Sequence, residues 1–282
     1  DVADGMSRGI QFLFKKNKVE HIKGFGKLTA DKKVEVESDD GNKTVAAKHI
    51  ILATGAKSRQ LDNIRQDGKK IIGYREAMTL EKQPESMVVI GSGAIGSEFA
   101  WFYNTIGTKV TLVEYMPAVL PLEDEDVSKQ VERTFKKGKM KVMTNAAVES
   151  VDTSGDLCKV HIKTRKGEQV VEAELVLSAV GIETNLQGIG LEEAGIKTEK
   201  GKIIVDDFYK TNIDGVYAIG DIVHGPALAH VASHEGITCV EKIAGMNPEP
   251  IDYNNIPACT YTSPEVASVG YTEKEAREKG YD

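Results

Sequence analysis

The sequence predicts an α/β fold built on a parallel sheet. Two observations carry this. Residues 86–143 alternate strand, helix, strand, helix, strand, the order that builds parallel sheets with right-handed crossovers. Within that run, VVIGSGAIGSEFA (88–100) takes an apolar strand straight into Gly91, Gly93 and Gly96 at the head of a helix.

The elements follow in order. Ile10, Leu13 and Phe14 lie at helical spacing, and VEHIKGFGKLT then reads as a strand broken by Gly24 and Gly26. KKVEVES and KTVAAKHIILATGA frame a hairpin around Asp39-Asp40-Gly41-Asn42. HIILATG, a continuous apolar run ending in glycine, predicts a central strand buried on both faces. SMVVIG, KVTLVE and MKVMT are the strands of the alternating unit. Between them lie a helix stopped at Gly107 and a second, DEDVSKQVERTFKKG, acidic at its start and basic at its end as the helix dipole favours. Residues 147–172 predict a β-meander, and LVLSAVG returns as a buried strand. Two further strands precede Gly220-Asp221, a helix ends at Gly245, and the chain closes in strands and a helix.

The 282 residues are 40% hydrophobic and 28% charged, an ordinary globular balance. The formal charge of −7 argues against a nucleic-acid surface, and no apolar run has the length of a membrane helix. Cys158, Cys239 and Cys259 lack the close spacing of a zinc site or redox dithiol, and read as reduced thiols. His230 and His234 lack the glutamate of a zincin, so no metal site is expected.

The glycines carry the first functional expectation. A GxGxxG between a strand and a helix fits a dinucleotide: Gly91 turns the chain, Gly93 admits the pyrophosphate, and Gly96 packs helix on strand. Glu114 ends the next strand, where a carboxylate accepts hydrogen bonds from both ribose hydroxyls and repels a 2′-phosphate. No Lys or Arg follows before Lys129 to receive that phosphate, so NAD is expected over NADP.

GSGAIGSE…VTLVEY, IILATGA, TNIDGVYAIGDI, PALAHVASHEG and YTSPEVASVGYTE together resemble the FAD-dependent pyridine nucleotide–disulfide oxidoreductases. The resemblance covers essentially the whole chain. It implies a Rossmann-like NAD domain (parallel sheet plus meander) inserted in a partial FAD domain of the same type. The implied boundaries are 1–85 for the later part of the FAD domain, 86–184 for the NAD domain, 185–255 for the return to the FAD domain and 256–282 for the start of a dimerisation domain. The implied reaction is reoxidation of dihydrolipoamide, carried on a lipoyl domain of 2-oxoacid dehydrogenase complexes, with NAD⁺. The parent would be a homodimer in the bacterial cytoplasm or the mitochondrial matrix.

Position by position, the resemblance implies an NAD site of Gly91, Ser92, Gly93, Ala94, Ile95, Gly96, Ser97, Glu98, Glu114, Val148 and Gly181. Val148 would pack near the adenine and Glu98 near the nicotinamide. It implies FAD contacts at Gly26, at Thr54, Gly55 and Ala56, at Asp221, and at Ala227, Leu228, Ala229 and His230, whose helix start would face the flavin ring. On the residues alone, Thr54-Gly55 reads as a strand-end turn and His230 as a structural residue whose backbone is engaged rather than its ring, while Asp221 could be an N-cap and Glu98 a first-turn acid. Three departures stand out. No cysteine pair four residues apart is present, no GxGxxG precedes the first strand, and the catalytic His–Glu pair of the dimerisation domain is missing. The expectation is therefore an internal segment of a longer flavoenzyme, without catalytic residues of its own. Ile182 stands where many members carry Arg. The alternatives are another reductase of the family, such as a soluble transhydrogenase or a mercuric or glutathione reductase, or a non-catalytic NAD-binding module.

Overall fold

The computed structural model describes residues 2–281. The chain opens with helix α1 (Val2–Lys16) and strands β1 (Phe25–Leu28), β2 (Lys33–Glu37) and β3 (Lys43–Ala46). β4 (Ile50–Leu52), β5 (Ala56–Ser58), β6 (Ile71–Ile72) and the single turn α2 (Tyr74–Ala77) follow. The alternating unit is β7 (Ser86–Ile90), α3 (Ala94–Thr105), β8 (Lys109–Val113), α4 (Glu125–Lys137) and β9 (Lys141–Met143). Next come β10 (Ala146–Asp152), β11 (Cys158–Thr164), β12 (Gly167–Ala173), β13 (Leu175–Ser178) and β14 (Ile182–Thr184). β15 (Thr198–Glu199), β16 (Lys202–Ile203), β17 (Val216–Ala218) and α5 (Ala229–Ile243) lead to β18 (Ala258–Thr260), β19 (Val266–Ser268) and α6 (Glu273–Glu278).

The chain divides into two compact units. One comprises Asp1–Thr54, Leu186–His224 and Ala232–Pro250; the other comprises Gly55–Asn185, Gly225–Val231 and Ile251–Asp282.

In the second unit a five-stranded parallel sheet runs β6-β13-β7-β8-β9. β7 explains why its sequence is continuously apolar. Met87 and Val89 face one core with Ala100 and Tyr103 of α3 and Val131 and Phe135 of α4. Val88 and Ile90 face a second core with Cys158, Val160 and Ile162 of the meander β10-β11-β12. Both faces are covered, so polar alternation would strand polar groups in a core. The meander has one dry face, and β11 duly alternates buried and exposed residues.

The first unit holds the antiparallel sheet β1-β2-β3 and the parallel pair β4-β17, packed around Leu28, Ile50, Ile203, Val216 and Ile222. Two expectations are corrected here. HIILATG is not buried on both faces: Ile50 and Leu52 are buried but Ile51 is 36% exposed, and among the described residues β4 pairs only with β17. VEHIKGFGKLT forms a strand only over Phe25–Leu28, starting after Gly24, and Gly26 does not break it but pairs with Val36. α1 forms as expected, but none of its described residues is buried.

Candidate nucleotide-binding site

Strands β13, β7 and β8 end side by side, and the chain beyond each is tied to its neighbour. Ala179 N–H donates to Ile90 O, Gly91 N–H to Val113 O and Glu114 N–H to Met143 O, each at 2.8 Å. Above these ends lies a cleft of about 630 Å³. The carboxyl ends of parallel strands are where open α/β sheets bind ligands. The walls are the glycine turn 91–95, residues 113–116, 146–148 and 179–182, and Arg59, Leu61 and Ile64.

The three glycines divide by role. A Cβ on Gly96 would stand 1.9 Å from Gly91 O, and one on Gly91 would stand 2.4 Å from Ala179 O. Gly91 also has φ +94°, a left-handed conformation that side chains resist. These two are required by packing and turn geometry. Gly93 is different. It is the N-cap of α3, its φ of −65° suits any residue, and a Cβ there would meet nothing within 4 Å. Its open side is a space that a bound group can occupy. The first-turn N–H groups of α3, which have no partner inside the helix, and the positive end of its dipole favour an anion there.

Glu114 is 6% exposed, and three donors hold its carboxylate. Ser92 N–H and Ser92 Oγ both donate to Oε2, and Met116 N–H donates to Oε1, each at 2.7 Å. A carboxylate has about four acceptor positions, so capacity remains for about one more donor. This narrows the expectation that it serves both ribose hydroxyls. Ser92 is itself fixed, its carbonyl accepting from Ser97 Oγ at 2.9 Å and Leu120 N–H at 3.0 Å.

The cleft therefore brings together Gly91, Ser92, Gly93, Ala94, Ile95, Glu114, Val148 and Gly181. Gly96 and Ser97 are buried behind it as packing residues. Glu98 is not among the lining residues; its Oε1 accepts from Tyr261 N–H at 2.8 Å. Sequence reasoning missed Arg59, Leu61 and Ile64. They come from a non-periodic loop pinned to the meander by Asn63, whose Nδ2 donates to Glu149 O at 2.9 Å.

The residues expected to meet a flavin nucleotide fall in both units. In the first, Thr54 follows β4 and Gly220-Asp221 follow β17, at adjacent ends of parallel strands joined by Ile219 N–H to Leu52 O at 3.0 Å. Asp221 lies in the short helical turn Gly220–Ile222 and caps no long helix. Buried Glu235 holds that turn, accepting from Gly220 N–H at 2.6 Å. Gly26 pairs with Val36 in β1-β2, where a Cβ would make only ordinary contact. In the second unit, Gly55 accepts from Asn185 N–H at 2.9 Å and has φ +66°, and Ala56 opens β5. Ala227 and Leu228 precede α5, which begins at Ala229. The ring of His230 is engaged after all, with Nε2 at 2.9 Å from Pro257 O.

Cys158 and Cys239 are buried, Cys259 is exposed, and all three are free thiols. Burial pushes the Cys158 thiol up and that of Cys239 up to about 11, so both are poor nucleophiles. Among the described residues no helix is long and apolar enough to cross a membrane.

The family model for pyridine nucleotide-disulphide oxidoreductases matches residues 1–236, and the model for the dimerisation domain of the same oxidoreductases matches residues 256–282. The chain belongs to the pyridine nucleotide-disulphide oxidoreductase family. Among the relatives of the chain are dihydrolipoyl dehydrogenases of Rhizobium etli (42% identical) and Zymomonas mobilis (43%), each aligned over 100% of the chain. The chain spans 62% and 61% of their lengths. A solved structure of LpdA from Mycobacterium tuberculosis matches 99% of the chain and 62% of its own, with TM-score 0.91 and 30% identity. The flavoprotein disulfide reductase RclA of Escherichia coli, at 24% identity and TM-score 0.85 over 97% of the chain and 64% of its own, shares the fold.

Proposed function

We propose that this chain is part of a dihydrolipoyl dehydrogenase and that its cleft is the NAD site. One observation carries the site: Gly93, the N-cap of α3, has open space where a Cβ would stand, and it lines one cleft with buried Glu114, a carboxylate fixed by Ser92. The relatives' name, dihydrolipoyl dehydrogenase, supports oxidation of a dihydrolipoyl group; the proposed substrate is dihydrolipoamide on a lipoyl domain.

When bound, NAD⁺ supplies the hydride acceptor and FAD the relay between dithiol and nicotinamide. The chain's own residues bind and orient. The N-terminus of α3 and the space at Gly93 take the pyrophosphate. Glu114 takes a ribose hydroxyl, and its carboxylate disfavours a 2′-phosphate. Val148 covers the adenine side and Gly181 offers backbone contact, and Glu98, outside the cleft lining, is the proposed contact for the nicotinamide half. For FAD the proposed contacts are Gly26, Thr54, Gly55, Ala56, Asp221 and Ala227–His230. The reading divides the chain at 1–85, 86–184, 185–255 and 256–282, with the last segment serving a homodimer. Bacterial and plant mitochondrial relatives favour the bacterial cytoplasm or the mitochondrial matrix.

Fluorescence titration of the chain with NADH and NADPH tests the site. NADH is expected to bind more tightly; equal or tighter NADPH binding would refute the NAD assignment.

A further inference from the structure

Among the described residues, Arg59 and Glu114 are the only charged ones lining the cleft. Their situations are opposite. The Glu114 carboxylate is held by three donors, whereas the Arg59 side chain has no hydrogen bond or ion pair with any described residue. The Arg59 backbone is nonetheless fixed. Ser58 pairs with Ile182 in the β5-β14 ladder, and Arg59 N–H donates to Gly181 O at 3.0 Å. A guanidinium on an anchored stem loses less freedom on binding than one on a mobile loop.

Position across the sheet says which part of a ligand it meets. Along the order β13-β7-β8, Gly181 lies beyond β13, the Gly91–Gly93 turn beyond β7 and Glu114 beyond β8. Arg59 and Glu114 thus stand on opposite sides of the glycine turn. A ligand with its adenosine ribose at Glu114 and its pyrophosphate at the turn extends toward Gly181 and Arg59. Charge points the same way. A pyrophosphate brings two negative charges beside Glu114, and the α3 N-terminus offsets only about half a unit. Without Arg59 the lining is net negative.

Resting on the reading of the cleft as a dinucleotide site, we infer that Arg59 is the cationic clamp on the pyrophosphate, acting from the nicotinamide side. It is a specificity determinant for phosphorylated nucleotides that the glycine fingerprint does not contain.

Calorimetric titration of wild-type, R59Q and R59K chains with ADP-ribose and with adenosine tests this. R59Q should bind ADP-ribose roughly tenfold more weakly, the loss of one charge-assisted contact, and R59K should recover part of the loss. Adenosine binding should be the same in all three, and added salt should narrow the ADP-ribose difference. Unchanged ADP-ribose affinity in R59Q, the mark of a merely solvated arginine, would overturn the clamp. So would an equal loss for adenosine, which would mean a disturbed cleft. A wild-type chain that binds no ADP-ribose would overturn the dinucleotide site itself, and the clamp with it.

Discussion

Glu114 accepts hydrogen bonds from both the backbone N–H and the hydroxyl of Ser92, at 2.7 Å each. The carboxylate therefore has two duties: it shapes the glycine turn from within and offers its remaining acceptor capacity to the cleft. Glu114→Ala should show both. Buried Ser92 would lose the acceptor for its N–H, at a cost of about 1–3 kcal/mol. The NADH preference should shrink at the same time. Denaturant melts and paired NADH and NADPH titrations measure the two effects. A variant with full stability and altered preference would show that the Ser92 contacts contribute nothing.

The glycines predict a contrast between two neighbours. Gly93→Val should keep the fold, since nothing lies within 4 Å of the added Cβ, and should abolish NADH binding by filling the space for the pyrophosphate. Gly96→Ala should do the reverse in kind, since its Cβ would stand 1.9 Å from Gly91 O. Overpacking of this sort costs at least about 1–3 kcal/mol. Circular dichroism melts beside NADH titration separate the two. NADH affinity preserved in a folded Gly93→Val chain would return the turn to a purely structural role.

The parallel sheet was legible because burial on both faces forces continuous apolar strands, and SMVVI shows that in five letters. The turn and Glu114 were legible for a related reason: a dinucleotide needs glycine and an acid at fixed spacing on one local unit. Arg59, Leu61 and Ile64 were not. They reach the cleft through a loop pinned by Asn63 to residues 85 and 86 positions away, and no local period records that. The second duty of Glu114 was hidden too, because spacing shows where a carboxylate sits but not how many donors it already serves. At β4 the error ran the other way: the apolar run promised two covered faces, and Ile51 is left exposed.

Cys239 gives a pH prediction with a definite sign. Its thiol is wholly buried and pushed up to about 11, chiefly by desolvation and then by the charge of Asp206, against an ordinary 9.0. The unfolded chain thus releases this proton near pH 9 while the folded chain keeps it to about pH 11. The stability this group contributes is fully present below pH 9 and is lost as pH rises through that window, by about 3 kcal/mol at most. Urea melts of wild type and Cys239→Ala at pH 8 and pH 10 test it. The wild type should lose more stability than the variant across that interval, and parallel losses would contradict the assignment.

Thiol chemistry also fixes what these residues can do to a disulfide. Exchange with lipoamide needs a thiolate to attack one sulfur and a second cysteine to resolve the mixed disulfide. Cys158 and Cys239 are buried with raised thiols, leaving Cys259 as the one exposed cysteine. A thiol reagent should therefore label one cysteine in the folded chain and three after denaturation. In an assay of residues 1–282 alone, NADH should bind but lipoamide should not accelerate its oxidation. Cys259→Ser should leave NADH binding untouched. Lipoamide-dependent turnover by the isolated chain, abolished in Cys259→Ser, would show that the lone exposed thiol supports an exchange for which the chemistry requires a pair.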